Sequence, residues 1–527
     1  MEDLPLRRRQ FLKSVSAAAG AFALGGGAPG ALAALSPKRA GAAGVVPFVR
    51  RNINTFSAAQ LASLRNGIAV MKGRPPNNPT SWLYQANIHG TYDTPVLPVW
   101  NTCQHGHYMF LSWHRMYLYF FERILRAASG DPTLALPYWN YLPATARALP
   151  APFRTPVAGN PLYVAQRNTG INAGTTTLPD WAVSNAAAYA FTNFTATTSP
   201  WGQSFGGGVV TGAQHFTNRT GSLESIPHNQ IHNLVGGPGW MGDPNMAARD
   251  PIFWLHHANI DRLWAGWIAL GGGRSNPSGA SPADMQWKNL QFSFFDENGT
   301  AVQMSGQQVV NTAQQLNYVY DTGVTIDPKL QDLLRRLRLF YVVVRWPRIP
   351  DPDPGPLRQQ VPVELGRGVT RTRVGIPRAA LRGLTAAAAG ESAERVFLTL
   401  EGVSFRQNPG VVFHVFVNAP AAVLERQQQS PDTSSPFYAG TLDFFSLLGQ
   451  LQHAGTDRAS ATLVVDATEA VQQLAKQRQL GSAPVEVSFV ATGLVSAQGG
   501  RSLAAPAAPV RIARAGFVTA AAERAEQ

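Results

Sequence analysis

The histidines of this chain are the residues most suited to bind metal ions. They fall into two groups of three: the first is His89, His105 and His114, and the second is His228, His232 and His257. Because His228 and His232 are four residues apart, their imidazoles share one face of a helix, as a common metal ion requires. One such pair is a weak signal, but two groups flanked by Trp and Phe indicate two metal sites.

The donor atoms in these groups restrict the metal. Imidazole nitrogen suits zinc, copper, iron and nickel. A di-iron site would show paired glutamates and Glu-x-x-His motifs, whereas the candidate sites here offer nitrogen only. Two facing three-histidine sites are the arrangement that a copper pair needs to bind dioxygen between the metals. The sequence therefore favours copper.

The segment 46–323 must position these histidines, and its apolar periodicity predicts a mainly helical core. Residues 113–126 are expected to form a helix because their apolar side chains recur at core spacing. His105 precedes His114 by nine residues, which is half a turn out of phase on a helix. His105 must therefore lie at or before the start of that helix, and His89 must come from elsewhere in the fold.

Two further predicted helices carry the second histidine group. One is expected to begin near Pro227, at a favoured first helical position, and to end at the glycines of 236–239. The other runs from about 251 to 270, where three glycines follow. Residues 143–220 are rich in Thr, Asn and Gly, so we expect surface loops with short helices there.

The chain changes character after residue 339. Runs of β-branched and aromatic residues predict five strands, at 340–344, 396–400, 411–417, 461–465 and 485–490. A Pro-rich connection occupies 347–356. We therefore expect residues 335–515 to form a separate all-β sandwich domain after the helical core.

The N-terminus has the features of an export signal. Arg7, Arg8 and Arg9 precede an apolar, Ala- and Gly-rich stretch from 15 to about 35. Glycines and Pro29 interrupt this stretch, so a membrane anchor is the weaker interpretation. Residues 1–36 are predicted to be a twin-arginine export signal, which implies a periplasmic or secreted protein with no membrane anchor after signal removal.

Composition fits a globular protein of two or three domains. The 527 residues are 45% hydrophobic and 14% charged, with a formal net charge of +13. The arginines are scattered and no nucleic-acid motif accompanies them, so a nucleic-acid partner is not expected. Cys103 is the single cysteine, so no disulfide can form within the chain. It is either a buried small hydrophobe or a chemically used thiol.

Two motifs give the chain a family resemblance. Residues 105–119, HGHYMFLSWHRMYLY, resemble the first copper signature of tyrosinases, catechol oxidases and haemocyanins. Residues 250–261, DPIFWLHHANID, resemble the second. Segments 82–89, 241–250 and 292–298 are similar to plant polyphenol oxidases. The resemblance touches most of residues 50–500 and implies a type-3 dinuclear copper protein, a bacterial member with a plant-like core and C-terminal domain.

The resemblance implies a set of site residues. Copper A would take His89, His105 and His114, and copper B would take His228, His232 and His257. Spacing alone leaves His256 and His257 as alternatives, and the family pattern favours His257. Residues implied beside the ligands or at the entrance are His256, Asp261, Pro244 and Phe253. Asp261, one turn after His257, would orient a ligand or cap a loop.

Three further residues acquire roles through the resemblance. Cys103 stands two residues before His105, as in fungal tyrosinases, where the pair is joined by a thioether. Glu224 and Asn229 flank His228. In the family, such a pair holds a water that helps to deprotonate a monophenol. The alternatives without a chemical role are a free buried thiol for Cys103 and an ordinary surface carboxylate for Glu224.

The implied function is copper-dependent oxidation of o-diphenols, with hydroxylation of monophenols, to o-quinones by O₂. The cofactors would be two copper ions and the partners a phenolic small molecule, O₂ and a copper chaperone. The C-terminal domain would cover the active site of a latent proenzyme until proteolysis. The alternatives from other classes are haemocyanin-like oxygen binding and non-catalytic copper binding.

Overall fold

Two large hydrophobic cores organise the part of the chain that the structure, a computed structural model, describes. The described residues are 46–196, 204–323, 343–344, 362–375, 394–429, 432, 435–442, 444–453, 461–477, 484–498 and 506–523. The predicted export signal and the Pro-rich connection at 347–356 lie outside these residues. One core is built mainly by helices before residue 323, and the other by strands after residue 362.

The first part is mainly helical, as the sequence predicts. Its helices are α1 (Ala58–Gly73), α2 (Trp82–His89), α3 (Phe110–Ser129), α4 (Ala151–Arg154), α5 (Thr169–Ala173), α6 (Asp180–Val183), α7 (Ala186–Ala190), α8 (Gln230–Gly236), α9 (Pro251–Ala269), α10 (Pro282–Asn289) and α11 (Thr312–Gln315). Short helices α4 to α7 fall in the predicted loop region. Short strands accompany them, namely β1 (Phe48–Arg50), β2 (Thr176–Thr177), β3 (Thr195–Ala196), β4 (Gly207–Gly208), β5 (Phe292–Phe295), β6 (Ala301–Met304) and β7 (Tyr318–Tyr320).

Local sequence fixes the helix that carries the second copper-like motif. Asp250 caps α9 by accepting a hydrogen bond from the Ile252 backbone N–H, and Pro251 occupies the first helical position. Arg167 holds the Asp250 carboxylate with two bonds of 2.7 Å. Both side chains are fully buried. The start of α9 is therefore rigid, which fixes the direction in which its histidines point.

A buried ion network ties the ends of this core together at Asp261. Arg50 of β1 donates to Asp261 at 3.2 Å and to Glu122 of α3 at 2.6 Å. Arg115 also bonds Asp261, and Tyr318 donates to it at 2.6 Å. Burial acts to raise the pKa of Asp261, but Arg115 and Arg50 lower it, so the carboxylate is ionised.

The role of Asp261 therefore differs from the predicted one. It was expected to orient a metal ligand or cap a loop, but its carboxylate joins β1, α3 and β7 to α9. The reason is that two arginines and two tyrosines converge on it, and a buried charge needs such partners.

The second part contains two four-stranded sheets. Its strands are β8 (Val343–Val344), β9 (Val363–Leu365), β10 (Val369–Val374), β11 (Glu394–Val403), β12 (Val412–Val417), β13 (Tyr438–Leu442), β14 (Ala461–Asp466), β15 (Val485–Thr492), β16 (Val495–Ser496), β17 (Val510–Ile512) and β18 (Arg514–Glu523). The sheet orders are β10-β15-β12-β13 and β14-β11-β18-β8, with antiparallel neighbours. Apolar residues of both sheets share one core, so the prediction of a β domain after a helical core is confirmed.

This domain is not all-β, because three helices connect its strands. They are α12 (Ala421–Gln429), α13 (Phe445–His453) and α14 (Thr468–Lys476). Val471 and Leu474 of α14 pack into the shared core, and Leu424 of α12 packs against Phe416 on the other face of β12. Each helix has only nine residues and contains two or three Gln, and the β-branched runs near it predict strands.

The two parts pack directly against each other. Strand β16 pairs with β2, and Asn408 donates to Asn233 at 2.6 Å and to the Gly242 carbonyl at 3.0 Å. His414 of β12 meets Trp181 of α6 edge to face, with ring centroids 4.8 Å apart. Among the described helices, none is both long and apolar enough to cross a bilayer.

His414 makes the stability of this interface depend on pH. It is fully buried, with Nδ1 2.7 Å from the Thr441 hydroxyl and Nε2 without a hydrogen-bond partner among the described residues. Tyr438 bonds the same hydroxyl at 2.8 Å. Burial lowers the pKa of His414 to about 3, against about 6.5 for an exposed histidine.

We predict that acid destabilises the wild-type chain more than a His414→Gln variant. A histidine with a lowered folded pKa binds its proton in the unfolded state first, so its contribution is lost as pH falls below about 6.5. Between pH 6.5 and 5 the difference should grow by about 2 kcal/mol. Thermal unfolding midpoints of both chains at each pH measure it, and parallel pH profiles would contradict it.

Candidate metal centre

Three elements bring the first histidine group together. His89 is the last residue of α2, His105 lies in the segment before α3, and His114 is in the second turn of α3. The segment before α3 turns at Gly106, where φ is +72° and a Cβ would lie 2.0 Å from the Thr217 carbonyl oxygen. His105 thus precedes the helix, as its spacing from His114 predicts.

The second group comes from three elements, two of them consecutive in the chain. His228 lies in a π-helical segment, Glu224–Asn229, in which Ile226 leaves helical geometry with φ −142° and ψ 123°. His232 follows in α8, and His257 is on α9. No member of the two groups is more than 3% exposed. The fold therefore buries six imidazoles between α2, α3, α8 and α9.

Backbone carbonyls fix the orientation of three of these rings. The Nδ1–H group of His89 donates to the Pro244 carbonyl at 3.0 Å, and that of His114 donates to the Phe110 carbonyl at 2.8 Å. The Nδ1–H group of His232 donates to the Met241 carbonyl at 2.7 Å. A carbonyl oxygen can only accept, so Nδ1 carries the proton and Nε2 keeps its lone pair. Each ring is therefore held in the form that binds a metal through Nε2.

The remaining nitrogens converge on one another. Nε2 of His257 lies 3.3 Å from Nε2 of His228 and 3.2 Å from Nε2 of His232. In the first group, Nε2 of His89, His105 and His114 is buried and has no hydrogen-bond partner among the described residues. Ligand atoms of His89, His114 and His257 lie within 4.8 Å of one another, so the two groups adjoin.

Electrostatics keeps all six rings neutral. Burial lowers the pKa of His89 to about 3 and lowers those of the other five well below the ordinary value, with neighbouring histidines adding to the effect. A buried polar nitrogen without a partner costs about 1–3 kcal/mol. Metal coordination would remove that cost. Six neutral imidazoles with no carboxylate among them fit copper ions.

His256 lies beside the second group but points differently. Its Nδ1 is 3.3 Å from the Tyr141 hydroxyl, and its ring stacks against His228 with centroids 5.3 Å apart. It belongs to the four-histidine cluster with His228, His232 and His257. Only His257 directs Nε2 at both His228 and His232. The geometry thus agrees with the family pattern, which favours His257 as ligand.

Cys103 lies against the edge of a histidine ring. Its Sγ is 3.1 Å from Nδ1 of His105 and 3.3 Å from Nδ1 of His215, and His215 also donates to the Cys103 carbonyl at 2.8 Å. The thiol is fully buried. Sequence reasoning assigned no chemical role to His215, which is 112 residues away along the chain.

Glu224 and Asn229 are both buried next to the histidines but bond different groups. Glu224 Oε1 accepts a hydrogen bond from the Gly106 N–H at 2.7 Å. Asn229 Oδ1 accepts from His228 Nδ1 at 2.7 Å, and its Nδ2 donates to the Ser446 hydroxyl at 2.9 Å. Glu224 is 1% exposed, so the interpretation as an ordinary surface carboxylate is wrong.

Phe253 and Pro244 contact the first group in different ways. The Phe253 ring lies 4.8 Å from His89 and 4.0 Å from His257, between centroids, so it packs against both groups. Pro244 is buried, and its carbonyl holds His89. A backbone contact of this kind cannot be read from residue type.

Aromatic residues that the sequence did not single out cover the site. Phe445 of α13 stacks on His232, with centroids 4.0 Å apart and an angle of 13° between the rings. Phe216 stacks on His105 at 4.8 Å and 7°. Gly449 packs on Phe216 so closely that a Cβ would lie 2.4 Å from its ring. These stacks depend on tertiary packing, for which the sequence gives no periodic signal.

Comparison with protein families divides the chain in the same way. Residues 79–270 match a model described as the common central domain of tyrosinase. Residues 282–327 match the polyphenol oxidase middle domain, and residues 359–501 match a domain of unknown function. The first match contains all six histidines.

Curated relatives agree with these matches. The chain is 38% identical over 310 residues to tyrosinase HcTyr1 of Hahella sp., covering 51% of this chain and 62% of the relative. It is 28% identical over 395 residues to the latent form of the chloroplastic polyphenol oxidase of Prunus armeniaca, covering 70% and 62%. The chain thus spans about three fifths of the length of these two relatives.

Solved structures show a similar fold. Latent apple tyrosinase matches 90% of this chain and 97% of its own, at 23% identity and a TM-score of 0.53. Latent aurone synthase, a polyphenol oxidase, matches 91% of both chains at 21% identity and the same TM-score. Residues 79–270 are thus similar to the central domain of tyrosinases and residues 282–327 to the middle domain of polyphenol oxidases, and curated relatives with these names agree with both matches.

Proposed function

We propose that this chain is a two-copper phenol oxidase that converts o-diphenols to o-quinones with dioxygen. The observation that carries the proposal is the convergence of six neutral, buried imidazoles. Copper A would be held by His89, His105 and His114, and copper B by His228, His232 and His257. Two copper ions held there would supply the redox chemistry by which the phenol is oxidised and dioxygen is reduced.

The protein contributes orientation and exclusion of water. Carbonyls of Phe110, Met241 and Pro244 hold the protons on Nδ1. The Phe110 ring lies 4.6 Å from both His114 and His228, so apolar carbon fills the space beside the two groups. The ligand geometry is thereby set before a substrate arrives.

Phe445 marks the place of the substrate ring. Its position on His232 demonstrates that an aromatic ring fits flat over the second group, in a stacked geometry that favours binding. A phenol ring would take this place when Phe445 leaves. Phe445 and a phenol cannot occupy it together, which supports the proposal that the full chain is a latent form.

Helix α13 is held over the site by polar contacts as well as by Phe445. Ser446 bonds Asn229, and Gln450 donates to the Thr217 carbonyl at 2.9 Å. These contacts support the proposal that the C-terminal domain covers the site. Release of α13, by proteolysis or by movement of the domain, would open it.

We predict that Phe445→Ala in the full chain raises catechol oxidation at least tenfold over wild type. Removing the ring frees the stacking position on His232 while the histidines keep their partners. Initial rates of quinone formation by copper-loaded chains measure the effect. Phe405→Ala is the control, because that ring packs on Phe444 away from the histidines.

Two outcomes would contradict the oxidase proposal. A folded, copper-loaded Phe445→Ala chain with no quinone formation would do so. If that chain bound oxygen reversibly, the haemocyanin-like function would be favoured. If it bound copper but no oxygen, the protein would be a non-catalytic copper-binding protein.

Glu224 and Asn229 are proposed to support monophenol hydroxylation. Glu224 would accept the phenol proton through a water held with Asn229. Glu224 lies four residues before His228, is buried, and bonds the Gly106 N–H next to His105. These contacts support its role as the base. The distance from the carboxylate to the phenol hydroxyl decides whether such a base can act, because proton transfer requires hydrogen-bond contact, directly or through one water.

We predict that Glu224→Gln lowers monophenol hydroxylation about 100-fold relative to catechol oxidation, measured in the Phe445→Ala chain. Gln keeps an oxygen for the Gly106 N–H but cannot take a proton. Tyrosine and a catechol assayed side by side give the ratio, with Glu224→Asp as the conservative variant. Full monophenol activity in Glu224→Gln would exclude Glu224 as the base.

Three further proposals concern maturation. A thioether between Cys103 and His105 is supported by the 3.1 Å contact of Sγ with the ring edge. Export by a twin-arginine signal at residues 1–36 to the periplasm or beyond is supported by Arg7, Arg8 and Arg9 before an apolar stretch. A copper chaperone would be a partner in metal loading.

A further inference from the structure

The loop 241–244 places a carboxylate at the rim of the histidine site. The Met241 carbonyl holds His232 of one group, and the Pro244 carbonyl holds His89 of the other. Asp243 lies between these two contacts on the same short loop. Asp243 is therefore one residue from Pro244 and two residues from Met241, whose carbonyls orient the two groups.

Asp243 has neutral partners from both parts of the chain. The Tyr92 hydroxyl donates to its Oδ2 at 2.9 Å, and Nε2 of Gln452 in α13 lies 3.4 Å from its Oδ1. Gln452 also bonds the Tyr92 hydroxyl. Tyr92 is 52% exposed, so this rim faces the surface of the protein.

Among the described residues, the charged side chains at this rim have a net charge opposite in sign to that of the whole chain. The chain carries a formal net charge of +13. Arg249 is matched by Asp93, at 2.9 Å, and also bonds Thr91 and Asn87. Arg249 also acts on Asp243, whose Oδ1 accepts a hydrogen bond from the Asn245 N–H at 2.9 Å, so these two carboxylates and one guanidinium leave one net negative charge. Burial raises the pKa of Asp243, and exposure on release of α13 would favour its ionised form.

Helix α13 contacts both the histidine site, through Phe445, and the rim formed by Asp243 and Tyr92, through Gln452. Phe445 stacks on His232, and Gln452 follows seven residues later, on the same face of the helix and roughly 10 Å further along it. An aromatic ring and an N–H donor at that separation therefore fill the two positions together. A substrate with the same two groups would reproduce both contacts.

We propose that Asp243, assisted by Tyr92, selects phenols that carry a cationic amine about 10 Å from the ring. The ring takes the place of Phe445, and the ammonium group takes the place of the Gln452 amide. An ammonium is a stronger partner for a carboxylate than an amide, because the bond is charge-assisted. The proposal rests on the proposed oxidase function for its substrate, but the binding site itself can be tested separately.

The kinetic test uses two matched catechols in the full chain carrying Phe445→Ala and Gln452→Ala. Caffeoylputrescine ends in an ammonium group, and N-butylcaffeamide is its neutral counterpart. Adding Asp243→Asn should lower the ratio of their kcat/KM values about tenfold, through KM of the cation. The preference should also weaken as salt rises from 0.02 to 0.5 M.

A matched control separates charge at the rim from charge in general. Glu297 pairs with Arg123 at the surface, so Glu297→Gln removes one carboxylate elsewhere in the same part of the chain. It should leave the substrate ratio unchanged. If Asp243→Asn leaves the ratio unchanged too while both catechols are oxidised, the inference is overturned and the oxidase function stands.

A binding test does not depend on turnover. Cinnamoylputrescine has no hydroxyl to oxidise, and calorimetric titration gives its Kd for each chain. We expect about tenfold weaker binding after Asp243→Asn and no change for N-butylcinnamamide. Equal affinity of cinnamoylputrescine for both chains would overturn the inference. Selective binding in a chain that oxidises no catechol would retain it and refute the oxidase function.

Discussion

The structure depends on keeping six imidazoles neutral, buried and directed at one another. Each buried nitrogen without a hydrogen-bond partner is unfavourable for the folded chain, and Nε2 of His89, His105 and His114 has none among the described residues. A bound metal cation would accept their lone pairs and remove that cost. The carbonyls of Met241 and Pro244 and the first turn of α3 make this arrangement rigid, because they fix the proton on Nδ1.

The surrounding framework exists to hold that arrangement. Asp250, paired with Arg167, fixes the start of α9, and Asp261, paired with Arg50 and Arg115, fixes it one turn after His257. Breaking such a buried pair typically costs about 3–5 kcal/mol, because an uncompensated charge remains. The framework also explains the cover: α13 can stack Phe445 on His232 only because α8 presents that ring in a fixed position.

Much of the site could be predicted from the sequence, because helix periodicity is local. The four-residue spacing of His228 and His232 predicts a shared site, and the nine-residue gap predicts that His105 precedes α3. Spacing could not choose between His256 and His257, since both lie on α9. The Nε2 contacts of His257 distinguish them. Phe445 and the framework role of Asp261 could not be predicted, because each depends on partners 57 to 213 residues away.

We propose that the two histidine groups hold two copper ions. Titrating the metal-free full chain with copper, while following its thermal unfolding midpoint, tests this most directly. We expect the midpoint to rise and to stop rising at two copper ions per chain, because metal binding to the folded state stabilises it. Saturation at one copper ion, or an unchanged midpoint, would show that the six histidines do not hold two copper ions.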